Sequence, residues 1–327
     1  MKEIIVIKNR SDLGAGTRGS DLGIDAIEIA AINQDNDFFN LYEYEDIKTE
    51  NEKIYNKVDN LFAKRIENIY NVCSRLSDSV TKNLKKNKFP IVLSGDHSSA
   101  LGTISGIKST YPQKTLGVVW IDAHADIHSP YTTPSGNVHG MPLAAALADD
   151  HLMFKTNDVP QKTVELWEKI KNIGVKERKI EPENIVYFGV RDTEPAEDNI
   201  LSTNTIKNYS VAEMRYRGFE QCLQEAVKRL DQCDIIYISF DVDSMDCDLV
   251  SRGTGTPVSK GFDIDEVKSI IDAFIQTKKI ACFEIVEVNP TLDNKGNKIA
   301  EAAFEVLNST TKNIEKIIGK KEEMHSY

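Results

Sequence analysis

Short apolar runs recur along the chain, and between them lie stretches whose apolar residues fall three or four apart. The runs EIIVI (3–7), PIVL (90–93), LGVVWI (116–121), NIVYFGV (184–190), DIIYISF (234–240) and ACFEIVEV (281–288) are mostly rich in β-branched residues. Such runs read as strands buried on both faces, the pattern of a parallel sheet with helices on each side. Ile54, Val58, Leu61, Phe62, Ile66, Ile69, Cys73, Leu76 and Val80 predict one long covering helix, or two with a kink. Val267, Ile270, Ile271, Phe274 and Ile275 predict a second helix, and Ala303, Phe304, Leu307, Ile314, Ile317 and Ile318 a third. The polar, turn-rich stretches 9–23 and 129–142 are long for plain connections, and loops of that kind inside a compact pattern tend to carry function. No repeat and no Pro/Ser-rich linker divides the chain, so we expect one α/β domain over 1–318 and a polar tail over 319–327.

Charge narrows the partners. The formal net charge of -11, from 51 acids against 40 bases, argues against nucleic acid, whose phosphates need clustered Lys and Arg. Five cysteines without a C-x-x-C pair suit free thiols in a reducing compartment. The start MKEIIVIKNR has too short an apolar run for a secretory signal, and no later run approaches a membrane span. These features predict a cytoplasmic protein without membrane or nucleic-acid partners.

Against this ordinary background, WIDAHADIHSP (120–130) places an acid or imidazole at every second position: Asp122, His124, Asp126, His128. In an extended segment these side chains share a face, where unpaired carboxylates repel one another and lose hydration. A bound cation resolves the conflict. Asp241 and Asp243 follow the strand DIIYISF at the same spacing, and His97 follows PIVL. Ligands of open α/β sheets bind beyond the carboxyl ends of the strands, where all three groups fall. His97, Asp122, His124, Asp126, Asp241 and Asp243 supply two imidazoles, four carboxylates and no thiolate. That exceeds the three protein ligands of a catalytic zinc and fits an oxygen-preferring ion of the Mn²⁺ kind. Four negative charges also balance two divalent cations, and paired ions of that sort activate water for hydrolysis. Each motif alone has a plainer reading as a solvated turn or a structural histidine. Their agreement at three strand ends favours the metal site.

In their order and separation, SGDHS, DAHADIHSPYTTPSGNVHG, SFDVDSMD, GTGTPV and EVNP resemble the arginase branch of the ureohydrolase family, over about residues 3 to 310. The resemblance implies a three-layer domain with an eight-stranded, mostly parallel sheet, two Mn²⁺ ions per chain, and hydrolysis of L-arginine to L-ornithine and urea. It implies the same six metal ligands and sets Asp126 beside the attacking oxygen. His139 matches a proton-shuttling histidine, and Glu287 an acid that holds the guanidinium; Glu284, three positions away, is expected to face the opposite side. Thr256 matches a threonine lining that end of the pocket, with one residue more between Asp243 and Thr256 than is common. Ser135 and Asn137 match residues that hold the substrate's α-carboxylate. Two positions depart from the pattern: His128 stands where an Asn is usual, and Glu194 where an Asp meets the α-amino group, with Glu197 keeping the next acid. An imidazole can still donate one bond to a carboxylate. The resemblance also implies a homo-oligomer, trimer or hexamer. Agmatinase, guanidinobutyrase or formimidoylglutamase activity, or a metal-binding scaffold without turnover, are the alternatives.

Overall fold

The computed structural model describes residues 2–176 and 178–320. Eight strands form one sheet, β1 Ile4–Asn9, β2 Glu43–Asp46, β3 Phe89–Ser94, β4 Leu116–Ile121, β5 Ile185–Phe188, β6 Lys207–Tyr209, β7 Ile235–Asp241 and β8 Ile280–Val286. Their order is β2-β1-β3-β8-β7-β4-β5-β6, and every pairing is parallel. Helices of six or more residues are α1 Gly23–Asn33, α2 Ile66–Lys85, α3 Ala100–Thr110, α4 Pro142–Leu147, α5 Gln161–Lys171, α6 Pro195–Thr203, α7 Val211–Arg217, α8 Phe219–Arg229, α9 Ile264–Ile275 and α10 Lys298–Lys320.

The pleat sorts the strand residues into two cores. Val6, Ile91, Val119, Ile238 and Phe283 pack with α1, α8, α9 and α10. Ile5, Val92, Val118, Trp120 and Tyr237 pack with α2, α3, α4 and α5. Successive strand side chains point to opposite faces, so a sheet covered on both sides needs apolar residues at every position. This yields the expected three-layer α/β architecture.

The six apolar runs become β1, β3, β4, β5, β7 and β8. The two edge strands carry no such run: Glu43–Asp46 reads EYED and is mostly exposed, and Lys207–Tyr209 reads KNY. A charged edge with one free side is a common guard against pairing with another chain. The first predicted helix is shorter than its periodicity suggests. Ile54 lies in a short 3-10 turn, Val58, Leu61 and Phe62 in irregular chain, and α2 begins only at Ile66. The intervening segment is held instead by the 129–142 loop, where the Lys64 amide donates to the Gly136 carbonyl and the Lys64 ammonium to Asn137 Oδ1. Local apolar spacing lost to this tertiary contact. The other two helices appear as α9 and α10. Gly319 and Lys320 close α10, and residues 321–327 of the expected tail lie outside the described residues.

Candidate metal centre

The central strands β3, β8, β7 and β4 deliver the candidate residues at their carboxyl ends. His97 follows β3 within a short 3-10 turn whose cap, Asp96, accepts the Ser98 amide. Asp241 ends β7 and accepts the amide of Asp243, which folds the two acids into one tight turn.

The segment after β4 differs from its expected form. The strand stops at Ile121, so Asp122, His124 and Asp126 do not share a pleated face. They converge through a turn: Asp122 Oδ1 accepts the His124 amide at 2.7 Å, and Asp126 adopts a left-handed backbone with φ 49°. The Ala123 amide donates to Asp243 Oδ1 at 3.1 Å and ties this turn to the one after β7.

Two overlapping clusters result. His97, Asp122 and Asp126 form one, Asp122, His124 and Asp243 the other, each with ligand atoms within 4.8 Å of one another. Asp122 belongs to both. His97 Nδ1 lies 3.0 Å from Asp122 Oδ2, 3.0 Å from Asp126 Oδ2 and 3.2 Å from Asp241 Oδ2. Yet this buried nitrogen makes no hydrogen bond of acceptable geometry, the signature of an atom aimed at a shared ligand rather than at one neighbour. The donor set, two imidazoles and four carboxylates, therefore fits a pair of divalent cations.

Electrostatics agree. Burial opposes charge on His97, but Asp122, Asp126 and Asp241 outweigh it and raise its pKa well above that of a free imidazole. His124 is raised in the same way, with Asp243 and Asp122 overcoming burial. Burial and the neighbouring acids push Asp126, Asp241 and Asp243 upward, whereas at Asp122 the two histidines overcome burial and lower it. Without ions, protons on the imidazoles provide the positive charge that the acids require.

Behind the ligands stand Trp120, Ser239 and Glu284, to which the sequence assigned no part in supporting the site. The Trp120 indole N–H donates to Asp122 Oδ2 at 2.9 Å, and its ring stacks on His97 at 4.0 Å between centroids. Ser239 meets His97 Nε2 at 2.7 Å; a lone hydroxyl within DIIYISF was the available signal. Glu284 is fully buried and accepts from Ser94 and from the Tyr237 phenol.

A cavity of about 240 Å³ opens on the clusters, lined among others by His128, Ser135, Asn137, His139, Glu194 and Thr256. Glu287, with φ 65°, does not line it; Glu287 Oε1 accepts from the His97 amide at 3.0 Å and meets His139 Nδ1 at 3.1 Å. Burial lowers the pKa of His139, but that carboxylate outweighs it and pushes it up to about 9. Thr256 donates to Asp243 Oδ2 at 3.0 Å. His128 is occupied at both ring nitrogens, Nδ1 by Thr132 Oγ1 at 3.0 Å and Nε2 by Glu194 at 3.1 Å. Glu197 Oε2 accepts the Glu194 amide, which closes the first turn of α6. In contrast, Ser135 accepts the Asn137 amide and Asn137 Oδ1 accepts Lys64, an arrangement that leaves the Ser135 hydroxyl proton and the Asn137 amide N–H groups to a ligand.

Known proteins share this fold. The family model described as "Arginase family" matches residues 2–311. Arginase of Bacillus subtilis is 34% identical over 98% of this chain and 99% of its own length. A crystal structure of that species' arginase superimposes with a TM-score of 0.77 at 32% identity, covering 94% of this chain and 98% of the other. Entamoeba histolytica arginase, solved in complex with L-ornithine, gives a TM-score of 0.79 at 26% identity over 95% and 99% of the two chains. The match over nearly the whole chain, with the paired His/Asp clusters at the carboxyl ends of its sheet, shows that the chain belongs to the arginase family of hydrolases.

Proposed function

We propose that the protein hydrolyses the guanidinium group of L-arginine to L-ornithine and urea, using two Mn²⁺ ions held by His97, Asp122, His124, Asp126, Asp241 and Asp243. The observation that carries this reading is the charge of the cavity. Exposed Asp192 and Glu194 and the buried Glu197 line it beside the two acid clusters, and no Lys or Arg is among its lining residues. A substrate that is cationic at the reacting end and again at the far end suits such walls. The free donors of Ser135 and Asn137 suit a carboxylate beside the far ammonium.

Bound divalent ions supply a water of strongly lowered pKa and stabilise negative charge that develops during attack. The chain's own groups do the rest. Glu287 stands behind the cavity lining rather than in it; its Oε1 is taken by His139 and the His97 amide, so the guanidinium fork that the family resemblance assigns to this acid has Oε2 as its acceptor. Oxygen adds to the guanidinium carbon, the bond from that carbon to the side-chain nitrogen breaks, and the departing amine takes a proton from His139. The Glu287 partner keeps His139 protonated at neutral pH, which suits a proton donor. Glu194 meets the α-amino group. Both nitrogens of His128 are engaged, so its part is to orient Glu194 and Thr132 rather than to hold the carboxylate.

All five cysteines are buried free thiols, and no helix among the described residues is long and apolar enough to cross a membrane. The free thiols suit a reducing compartment such as the cytoplasm, and the family resemblance is what supports one catalytic domain in a trimer or hexamer.

Turnover of L-arginine, agmatine and formiminoglutamate with added Mn²⁺ tests the assignment. Agmatine forfeits two bonds to its missing carboxylate, each about 1.5 kcal/mol, so arginine should lead in kcat/KM by about 10²-fold. Formiminoglutamate, with two carboxylates facing Asp192, Glu194 and Glu197, should not turn over. Faster hydrolysis of agmatine would reassign the substrate. Stoichiometric metal with no urea from any guanidino compound would leave a scaffold.

A further inference from the structure

Arg191 stands in RDTEPAE just beyond β5, and its guanidinium is partly buried without an acid to meet it: among the described residues it forms no ion pair. Backbone carbonyls surround it instead. Nε donates to Ser259 at 3.0 Å, Nη1 to Gly189 at 2.9 Å, and Nη2 to Asp243 at 2.9 Å and Val258 at 2.8 Å. Longer contacts of 3.4 Å reach the carbonyls of Ser244 and Met245. Three segments therefore converge on one side chain: the end of β5, the turn that carries Asp243, and the 258–259 loop. The main chain of Arg191 joins a fourth, since its amide donates to the Ala123 carbonyl at 2.8 Å, one residue before His124.

These contacts are one-sided. They reach the carbonyls of Asp243 and of the two residues after it, and the residue before His124; Asp243 and His124 share one cluster with Asp122. None of them reaches His97, Asp126 or the loop after β3. A planar cation with five donors in a fixed fork can hold several carbonyls at set angles, a task that a flexible ammonium performs poorly. Its charge also lies close enough to Asp243 and Asp122 to offset their repulsion without sealing either oxygen in an ion pair.

We propose that Arg191 is a positioning residue for one of the two cation sites, a guanidinium staple that fixes the Asp243 turn against the His124 turn and leaves the His97 site untouched. This rests on the two-cation reading above.

Mn²⁺ titration of the metal-free protein, followed calorimetrically and by bound metal per chain, separates the two ideas. Wild-type protein should bind two ions; fewer than two would overturn both. Arg191→Lys keeps the charge and loses the fork, and Arg191→Gln loses both. Each should weaken one site by about 10- to 100-fold, the usual effect of removing a group that orients a ligand, and leave the other at its wild-type Kd. Pairing with ligand variants assigns the site. Arg191→Lys added to His124→Asn should change metal binding no further, whereas added to His97→Asn it should abolish the remaining high-affinity ion. Equal weakening of both sites, wild-type affinity at both, or joint loss of metal and of near-ultraviolet circular dichroism in Arg191→Lys would overturn the staple.

Discussion

Asp122→Asn should reduce urea production from L-arginine by at least about 10³-fold, more than the 10- to 100-fold typical of losing a residue that merely orients a ligand. Asp122 is the one side chain common to both clusters, and it is fully buried. The amide keeps the shape, and its single oxygen can still accept one of the two donors, the His124 amide or the Trp120 indole, so the fold should survive with the loss of one buried bond. What disappears is the negative charge that two cations would share. Metal analysis after gel filtration should find both sites depleted, and steady-state urea release in excess Mn²⁺ gives the rate. Release at even a tenth of the wild-type rate would contradict a shared ligand at this position.

Removing the metal should cost the native state nearly as heavily. An ion that binds only the folded chain stabilises it by RT ln(1 + [L]/Kd), about 2.7 kcal/mol at a hundredfold excess over Kd, hence about 5 kcal/mol for two sites. With the unfolding entropy usual for a chain of this length, the melting temperature should fall on the order of 7 °C after chelation. The pH dependence has a definite sign. Metal-free His97 and His124 have pKa values raised above the unfolded value, so their protonation stabilises the empty fold fully below about pH 6.5 and ceases to do so as pH rises through the raised values. Cations must displace those protons, so the gap between metal-loaded and chelated melting temperatures should widen from pH 6 to pH 8.5. Differential scanning calorimetry of both forms checks this. A gap that is constant or narrows upward would deny that the imidazoles face the ions.

The central strands were legible because burial on both faces writes an unbroken apolar run. Edge strands such as EYED escape that logic, since one side of them meets solvent. Apolar spacing over Ile54–Phe62 misled because these side chains stay half-buried or, at Leu61, exposed, while hydrogen bonds from Lys64 to the pocket loop set the path of the chain. At the site, residue types were readable and backbone shape was not. The every-second-residue spacing of Asp122, His124 and Asp126 suggested a pleated face, but a turn with one left-handed residue brings them together. Alternation set Glu284 on the side away from Glu287 but gave no hint that it is buried there and bonded to Ser94 and Tyr237. Arg191 and Trp120 gave no signal at all: the roles of single residues come from which distant segments they meet, and no local pattern encodes that.

The left-handed backbone at Asp126 and Glu287 has an evolutionary consequence. At Glu287 it costs on the order of 1 kcal/mol that a glycine or asparagine there would not incur, and at Asp126 less, since aspartate tolerates this region nearly as asparagine does. Thermodynamic selection alone would thus erode these two carboxylates early, while the sheet behind them stayed intact. A descendant lineage freed from the reaction should be recognisable by small or amide residues at these two places, long before its scaffold drifts.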